Sequence, residues 1–393
     1  MKILYVVSRP IEINTSASIR NRATIAGLLE QGHEVDVFTS EPDTNHPAYD
    51  GNMKIAGIKT TYVKINGIQS LARIGRKHRF LSSLKKALFN LAKKAEVYDN
   101  LKGITNYTKL IDLGKENYDL IISSSDPKSS HLFVYKLISE QQFSGKWAQI
   151  WGDPFLNDIT LSSSINKKKV YAEEKKLLGR ADAVFYVSKP TMDQQMATYP
   201  EFKEKMFSIP IPYESKDFEY NELKVQSNKK IKLAYCGDYK STTRNILPLY
   251  NAVYNSDGRF DLTICGSSDL SLESNDRVHV FGRKPYDYVK EVERGCDILV
   301  HLSNLNGSQI PGKIYQYSST SKPILFILDG DEKTLIDQFS KYNRYVFTEN
   351  KSEAILASLS DMINSSVKYS PVDAFYKANV ANMLIKYIWP ELN

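Results

Sequence analysis

Short apolar runs recur along the whole chain, separated by stretches whose apolar residues fall at helical spacing. In the first half the runs are Lys2–Val7, Glu34–Thr39, Asp119–Ser123, Trp147–Trp151 and Asp182–Val187. In the second half they are Ile231–Cys236, Phe260–Cys265, Arg277–Phe281, Asp297–Leu302, Pro323–Leu328 and Arg344–Phe347. Most are continuously apolar rather than alternating, as in parallel strands covered on both faces. Strand alternating with helix predicts doubly wound α/β layers. The series restarts near residue 230, after the polar, turn-rich IPIPYESKD at 209–217 and the charged stretch to Lys230. Two Rossmann-like domains with parallel sheets are therefore expected, with ligands beyond the carboxyl ends of the strands in a cleft between the domains.

Composition fits that picture. The chain has 393 residues, 42% hydrophobic and 25% charged, enough apolar content for two folded domains and too much for a disordered polymer. Its apolar runs fall far short of the ~18 residues a membrane span needs. The opening MKILYVVSRPIE is not expected to act as a secretory leader, because it lacks a small-residue cleavage site. Cys236, Cys265 and Cys296 are too few for a disulfide framework and show no zinc-ligand spacing. They read as small buried apolar residues, and a reducing cytoplasm is the expected compartment.

Charge is unevenly placed. Residues 51–95 contain no acid but eleven Lys and Arg, so a stretch of +11 inside a chain of +7 leaves −4 for the remainder. Such a surplus points to an anionic partner. Within it Phe80, Leu81, Leu84, Ala87, Leu88 and Leu91 recur at helical spacing, with Lys85, Lys86, Lys93 and Lys94 on other parts of the same turns. A basic amphipathic helix of this kind suits an anionic membrane surface. A solvated helix that buries its Leu stripe in the core is the alternative. No nucleic-acid-binding motif is present, and no nucleic-acid partner is expected.

The motifs of other α/β chemistries are missing. Where a dinucleotide-binding fold carries G-x-G-x-x-G, the chain reads SRPIEINTSASIR at 8–20, without a glycine. There is no Walker A loop and no G-x-S-x-G. Asp329-Gly-Asp331 has the form of a metal-binding D-x-D, but it directly follows a strand and precedes a helix-like segment. Turn and helix-cap use is the expectation there, and no metal is inferred.

What remains resembles glycosyltransferase family 4, retaining sugar-nucleotide enzymes of the GT-B fold. Ser18–Arg20 followed by AGLLEQGHEVDV at 26–37 is similar to the family's first loop, helix and second strand. WGDPF at 151–155 resembles its Asp-Pro-Trp segment, and ADAVFYVS at 181–188 the strand that ends its acceptor domain. In the second half, YCGD at 235–238 with TRN at 243–245 looks like the opening donor-domain loop. FGRKP at 281–285 and CDILVHLS at 296–303 continue in family order. IPGKIYQY at 310–317, followed by Ser321–Ile324, resembles the P-x-K-x-F-E-Y helix start, with Gln316 in place of the Glu and Ser308 where the paired Glu stands.

The resemblance implies an acceptor-binding domain over 1–212, a donor-binding domain over 213–369, and a C-terminal helix within 370–393 that returns to the first. It implies sugar transfer from a nucleotide-sugar donor to a glycan or lipid-linked acceptor, with no cofactor. Without a metal, the charge growing on the leaving diphosphate must be met by cations and backbone amides. Arg244 and Lys240 on the loop after the first donor-domain strand, and Gly312 with Lys313, are the expected phosphate ligands. Gln316 is expected at the ribose, Arg283 and Lys284 near the base edge, and Gly237 and Gly266 at tight turns beside the ligand. On the acceptor side Asp126, His131 and Asp153 are candidates for proton transfer, and Ser16, Ser18 and Arg20 for contacts to the sugar or its phosphate from the first loop. A non-catalytic GT-B subunit that binds a glycan or a partner enzyme, and a sugar-nucleotide epimerase on the same scaffold, are the rival readings.

Overall fold

A computed structural model describes residues 1–65, 96–162, 164–216 and 230–392. Lys85, Lys86, Lys93 and Lys94 lie outside the described residues, as does most of the acid-free stretch. The chain divides into two compact units, Met1–Ile209 with Lys377–Asn393, and Pro210–Tyr376.

The first unit contains β1 (Lys2–Val6), α1 (Ser16–Glu30), β2 (Glu34–Ser40), β3 (Thr60–Val63), α2 (Leu113–Glu116), β4 (Leu120–Ser124), α3 (Ser129–Glu140) and β5 (Lys146–Trp151). α4 (Lys167–Arg180), β6 (Ala183–Tyr186), α5 (Lys189–Thr198) and β7 (Met206–Ser208) follow. Its seven strands run in the order β3-β2-β1-β4-β5-β6-β7, and every pairing is parallel. The central strands are apolar on both faces because helices cover both; Ile3, Val6, Ile121, Ala148 and Phe185 are almost wholly buried.

The second unit contains β8 (Ile231–Cys236), α6 (Leu247–Tyr254), β9 (Phe260–Cys265), β10 (Val278–Phe281), α7 (Tyr286–Gly295), β11 (Ile298–Leu302) and α8 (Lys313–Tyr317). It continues with β12 (Ile324–Leu328), α9 (Glu332–Phe339), β13 (Tyr345–Glu349) and α10 (Ser352–Asn364). Six parallel strands form the order β10-β9-β8-β11-β12-β13. The last helix, α11 (Lys377–Ile388), belongs to the first unit and packs on α1, where Lys377 also pairs with Glu30 at 3.2 Å. No helix among the described residues is long and apolar enough to cross a membrane.

The stretch read as a loop at 8–20 is helical from Ser16. Thr15 caps α1 by accepting the Ser18 amide hydrogen, which gives the polar TSAS run a helix start without a glycine. Asp331 caps α9 through the Thr334 amide and hydroxyl, and Asp329 accepts from Asn350. Cys236, Cys265 and Cys296 are all buried free thiols.

Candidate functional site

Each unit gathers charged side chains at the carboxyl end of its own sheet. In the first, Asp126 follows β4 and Asp153 follows β5. These strands are neighbours, with Ser124 opposite Ile150, so the two carboxyl groups arrive side by side and share a hydrogen bond. Arg20, on the first turns of α1, is only 5% exposed and donates through Nη2 to the Ser125 carbonyl and, at 3.4 Å, to the Ser124 hydroxyl. It passes against the backbone of Gly152, where a Cβ would stand 2.4 Å from its Nη1. Lys128 closes the group by pairing with Asp126 and, at 3.3 Å, with Asp158.

These neighbours set the protonation. Burial raises the Asp153 pKa first and the Asp126 charge raises it further; Lys128 opposes and Asp158 adds, leaving Asp153 at about 7. Burial works against the Lys128 charge, but the surrounding carboxylates outweigh it and hold the ammonium firmly protonated. Asp153 therefore belongs to a carboxyl pair that carries one proton near neutral pH. The loop bearing it is pinned from below by Glu174, which is fully buried and accepts the Phe155 and Leu156 amide hydrogens at 2.9 Å and the Tyr199 hydroxyl at 2.8 Å.

The other first-unit candidates take different places. His131 is 0% exposed, stacks on Trp151 at 4.2 Å between ring centres, and meets the Ser123 hydroxyl at 2.8 Å. Burial, with Lys128 and Arg20 adding, keeps its ring neutral. It is a packing residue, not a proton-transfer group open to a ligand. Ser18 is buried and bonded to Thr15, while Ser16 is exposed. Arg20, expected to reach a phosphate, instead holds the loops that carry Asp126 and Asp153.

In the second unit the loops after β8, β9, β10 and β11 are tied together. The Gly237 amide donates to the Cys265 carbonyl at 2.9 Å, and the Gly266 amide to the Phe281 carbonyl at 3.1 Å. A Cβ on Gly266 would lie 2.0 Å from the Gly237 oxygen, so only glycine lets the two turns touch. Asp238 accepts from the Ser267 amide at 2.8 Å and pairs with Arg283 at 2.6 Å. Lys284 covers the Phe281 and Tyr288 rings at 5.0 and 5.2 Å.

Arg244 is fixed within this frame. Its Nε donates to Asn304 Oδ1 and its Nη1 to the Asp238 carbonyl, both at 2.8 Å. The nearby His301 is buried, and burial with the Arg244 charge takes its pKa down to about 3, which spares Arg244 a second cation. Lys240 extends from the same loop, exposed, with its carbonyl accepting the Thr243 and Arg244 amide hydrogens. Lys313 follows Gly312, which stands at the N-cap position of the five-residue α8. Its ammonium lies 2.5 Å from the buried carboxylate of Glu293, which also holds Lys290 at 3.2 Å. Burial works against the Glu293 charge, but Lys313 and Lys290 keep its pKa below the ordinary carboxylate value. The Lys313 charge also acts on the Cys236 thiol at the end of β8. Gln316 keeps its side-chain oxygen buried and without a hydrogen-bond partner.

Glu293, Asn304, Lys128, Asp158 and Glu174 did not emerge from the sequence. Glu174 in α4 and Glu293 in α7 stand among many other charges on the same helices, KKKVYAEEKKLLGR and YDYVKEVERG, so nothing in the sequence marks them out. Among the described residues no group of three or more His, Cys, Asp and Glu is placed to hold a metal ion.

No family model and no curated sequence matches the chain. Solved structures do. The apo form of the lipopolysaccharide outer core galactosyltransferase WaaB is similar over 100% of both chains, with a TM-score of 0.57 and 12% identity. A mutant of S. aureus TarM in complex with Fondaparinux, alpha-GlcNAc-glycerol and UDP is similar over 100% of this chain and 97% of its own, with a TM-score of 0.58 and 11% identity. A putative UDP-N-acetylglucosamine 2-epimerase from Listeria monocytogenes is similar over 100% and 96%, with a TM-score of 0.55 and 13% identity. At such identities the likeness establishes the architecture, two Rossmann-like parallel-sheet domains of the GT-B fold, and leaves chemistry to the residues.

Proposed function

We propose that the chain is a glycosyltransferase that takes a sugar from a nucleotide-sugar donor to an acceptor hydroxyl. The observation that carries this reading is Arg244, a guanidinium fixed by Asn304, the Asp238 carbonyl and the Tyr235 hydroxyl at the carboxyl edge of the second sheet. A leaving diphosphate gains negative charge as the glycosidic bond breaks, and a fixed cation stabilises that state more than the ground state. Lys313 would add a second charge on exchanging Glu293 for phosphate, with Glu293 still compensated by Lys290. Gln316, with its unpartnered oxygen, is suited to accept from a ribose hydroxyl. UDP in the TarM complex is consistent with a nucleotide diphosphate on this fold.

The Asp126–Asp153 pair is the proton store on the acceptor side: a pair holding one proton near pH 7 both takes a proton from a hydroxyl and returns it. The finer reading is transfer with retained anomeric configuration, without a metal ion, by an enzyme of the family 4 type. Its acceptor would be a glycan or lipid-linked glycan at the cytoplasmic face of an anionic membrane, with the basic segment at 51–95 as the membrane contact. The engaged state of Lys313 favours a second reading, a GT-B subunit that binds glycans without catalysis. Incubating the full chain with UDP-, GDP-, CMP- and dTDP-sugars, with and without glycan acceptors, separates these readings. Acceptor-dependent release of nucleotide supports transfer, conversion of donor alone supports epimerisation, and binding without turnover supports the non-catalytic subunit.

A further inference from the structure

Between the loops after β4 and β5 stands an ammonium that touches two carboxylates. Lys128 is 8% exposed. Its Nζ donates to Asp126 Oδ1 and, at 3.3 Å, to Asp158 Oδ2. The bridge is fixed from behind at both ends. Lys128 immediately precedes α3, whose first residue, Ser129, is tied to Asp99 by its amide at 3.0 Å and its hydroxyl at 2.8 Å. Asp158 Oδ1 accepts from the Thr160 amide and hydroxyl at 2.8 and 2.7 Å, while Oδ2 faces Lys128.

This placement makes the two members of the carboxyl pair unequal. An ammonium in direct contact favours the ionised form of the carboxylate it touches, and that carboxylate is Asp126. Asp153 is the member that burial and the Asp126 charge push toward its protonated form, so the hydrogen bond between them runs from Asp153 to Asp126. The other charged groups around the pair keep this order. Arg20 from α1 donates to the Ser125 carbonyl and the Ser124 hydroxyl, and His131 from α3 is neutral. Glu174 from α4 is taken up by the Phe155 and Leu156 amides and the Tyr199 hydroxyl. The Asp158 charge again favours a protonated Asp153. Asp126 keeps 30% of its side chain exposed, so a ligand hydroxyl can reach it.

We propose that Lys128 is a positioning residue that sets the order of the pair, holding Asp126 ionised as the proton acceptor and leaving Asp153 as the proton donor. The assignment rests on the transfer reading above. In that reaction the acceptor oxygen bonds to the sugar, and the bond from sugar to diphosphate breaks with its electron pair going to the phosphate oxygen. The hydroxyl proton passes to Asp126; the pair then holds two protons and releases one to water.

Infrared titration of the full chain, with carbon-13 in its aspartate carboxyls to set Glu174 apart, tests the order without any substrate. The wild type should show a protonated-carboxyl band that disappears at about pH 7, and Asp153→Asn should lack it. In Asp126→Asn the band should remain with a lower midpoint. Lys128→Met should raise the midpoint by about one pH unit or more, Lys128→Arg should return it close to the wild-type value, and Asp158→Asn should lower it. Should Lys128→Met not fold, Asp158→Asn decides alone. With whichever UDP-, GDP-, CMP- or dTDP-sugar releases nucleotide in the screen above, Asp126→Asn should lower kcat roughly 100-fold or more. Asp153→Asn, whose amide N–H still donates to Asp126, should lower it less than about tenfold. A band that survives in Asp153→Asn and is lost in Asp126→Asn, an unmoved midpoint in folded Lys128→Met, a midpoint that does not fall in Asp158→Asn, or a greater loss of kcat in Asp153→Asn would overturn the proposal. If no donor turns over, the transfer reading fails, while the infrared titration still decides the order of the pair.

Discussion

Replacing Asp153 by Asn should make the first unit more stable at pH 8 and stabilise it by a clearly smaller amount at pH 5. The ordinary aspartate pKa of 3.8 is raised to about 7 in the folded chain, chiefly by burial and then by Asp126. Between these values the folded state holds a proton that the unfolded chain has released, so stability is full below pH ~4 and falls as pH rises through 7. Three units at about 1.4 kcal/mol each give a loss of up to about 4 kcal/mol by pH 8. Sharing of the proton with Asp126, and the facing charges of Lys128, Asp158 and Arg20, reduce what one substitution recovers. A gain of about 2–4 kcal/mol at pH 8 is therefore expected, against about 1 kcal/mol at pH 5, where only the first pH unit or so above the ordinary value has been traversed. The assay is urea unfolding followed by tryptophan fluorescence. Trp147, Trp151 and Trp389 are the chain's only tryptophans and all belong to the first unit, so the signal reports that unit alone. An equal change at both pH values, or a loss at pH 8, would show that the pair does not hold its proton as described.

Three further substitutions probe the frame around the two ends. Gly266→Ala brings a Cβ against the Gly237 carbonyl and should lower the melting temperature of the second unit, at a cost of about 1–3 kcal/mol, with weaker nucleotide binding. Glu293→Gln removes the charge that holds Lys313 and Lys290; the second unit should lose about 1–3 kcal/mol in denaturant titration while its affinity for nucleoside diphosphates rises. Glu174→Gln offers one acceptor where the carboxylate offers two, so an amide of Phe155 or Leu156 is left unpaired and the first unit should lose about 1–3 kcal/mol by the same fluorescence assay.

The strands of the sheet interiors were legible because burial on both faces writes a continuous apolar run. Ile231–Cys236 and Phe260–Cys265 begin and end where the sequence pattern does. The edge strands Thr60–Val63 and Met206–Ser208 were not read, since an edge is half-buried and each is short, with polar residues mixed in. Ser16–Arg20 looked like a loop because Thr and Ser suit both turns and helix caps, and the Thr15 cap decides the matter only in three dimensions. At the candidate sites, residue types were legible and partnerships were not. Asp126 and Asp153 could be named, but their shared proton depends on the β4–β5 register and on burial. Lys313 could be named, but its carboxylate partner lies twenty residues away on α7. His131 carries no mark in the sequence that distinguishes a core imidazole from a catalytic one.

The central claim is that Arg244 holds the diphosphate of a nucleotide. Calorimetric titration of UDP, GDP and dTDP into the wild-type chain and into Arg244→Gln tests it most directly, with the parent nucleosides as controls. The account predicts that one diphosphate binds the wild type, that the substitution weakens it by roughly 10- to 100-fold, as loss of a charge-assisted hydrogen bond requires, and that the nucleoside's own weak affinity is unaffected. Identical diphosphate affinity in the two proteins would contradict it.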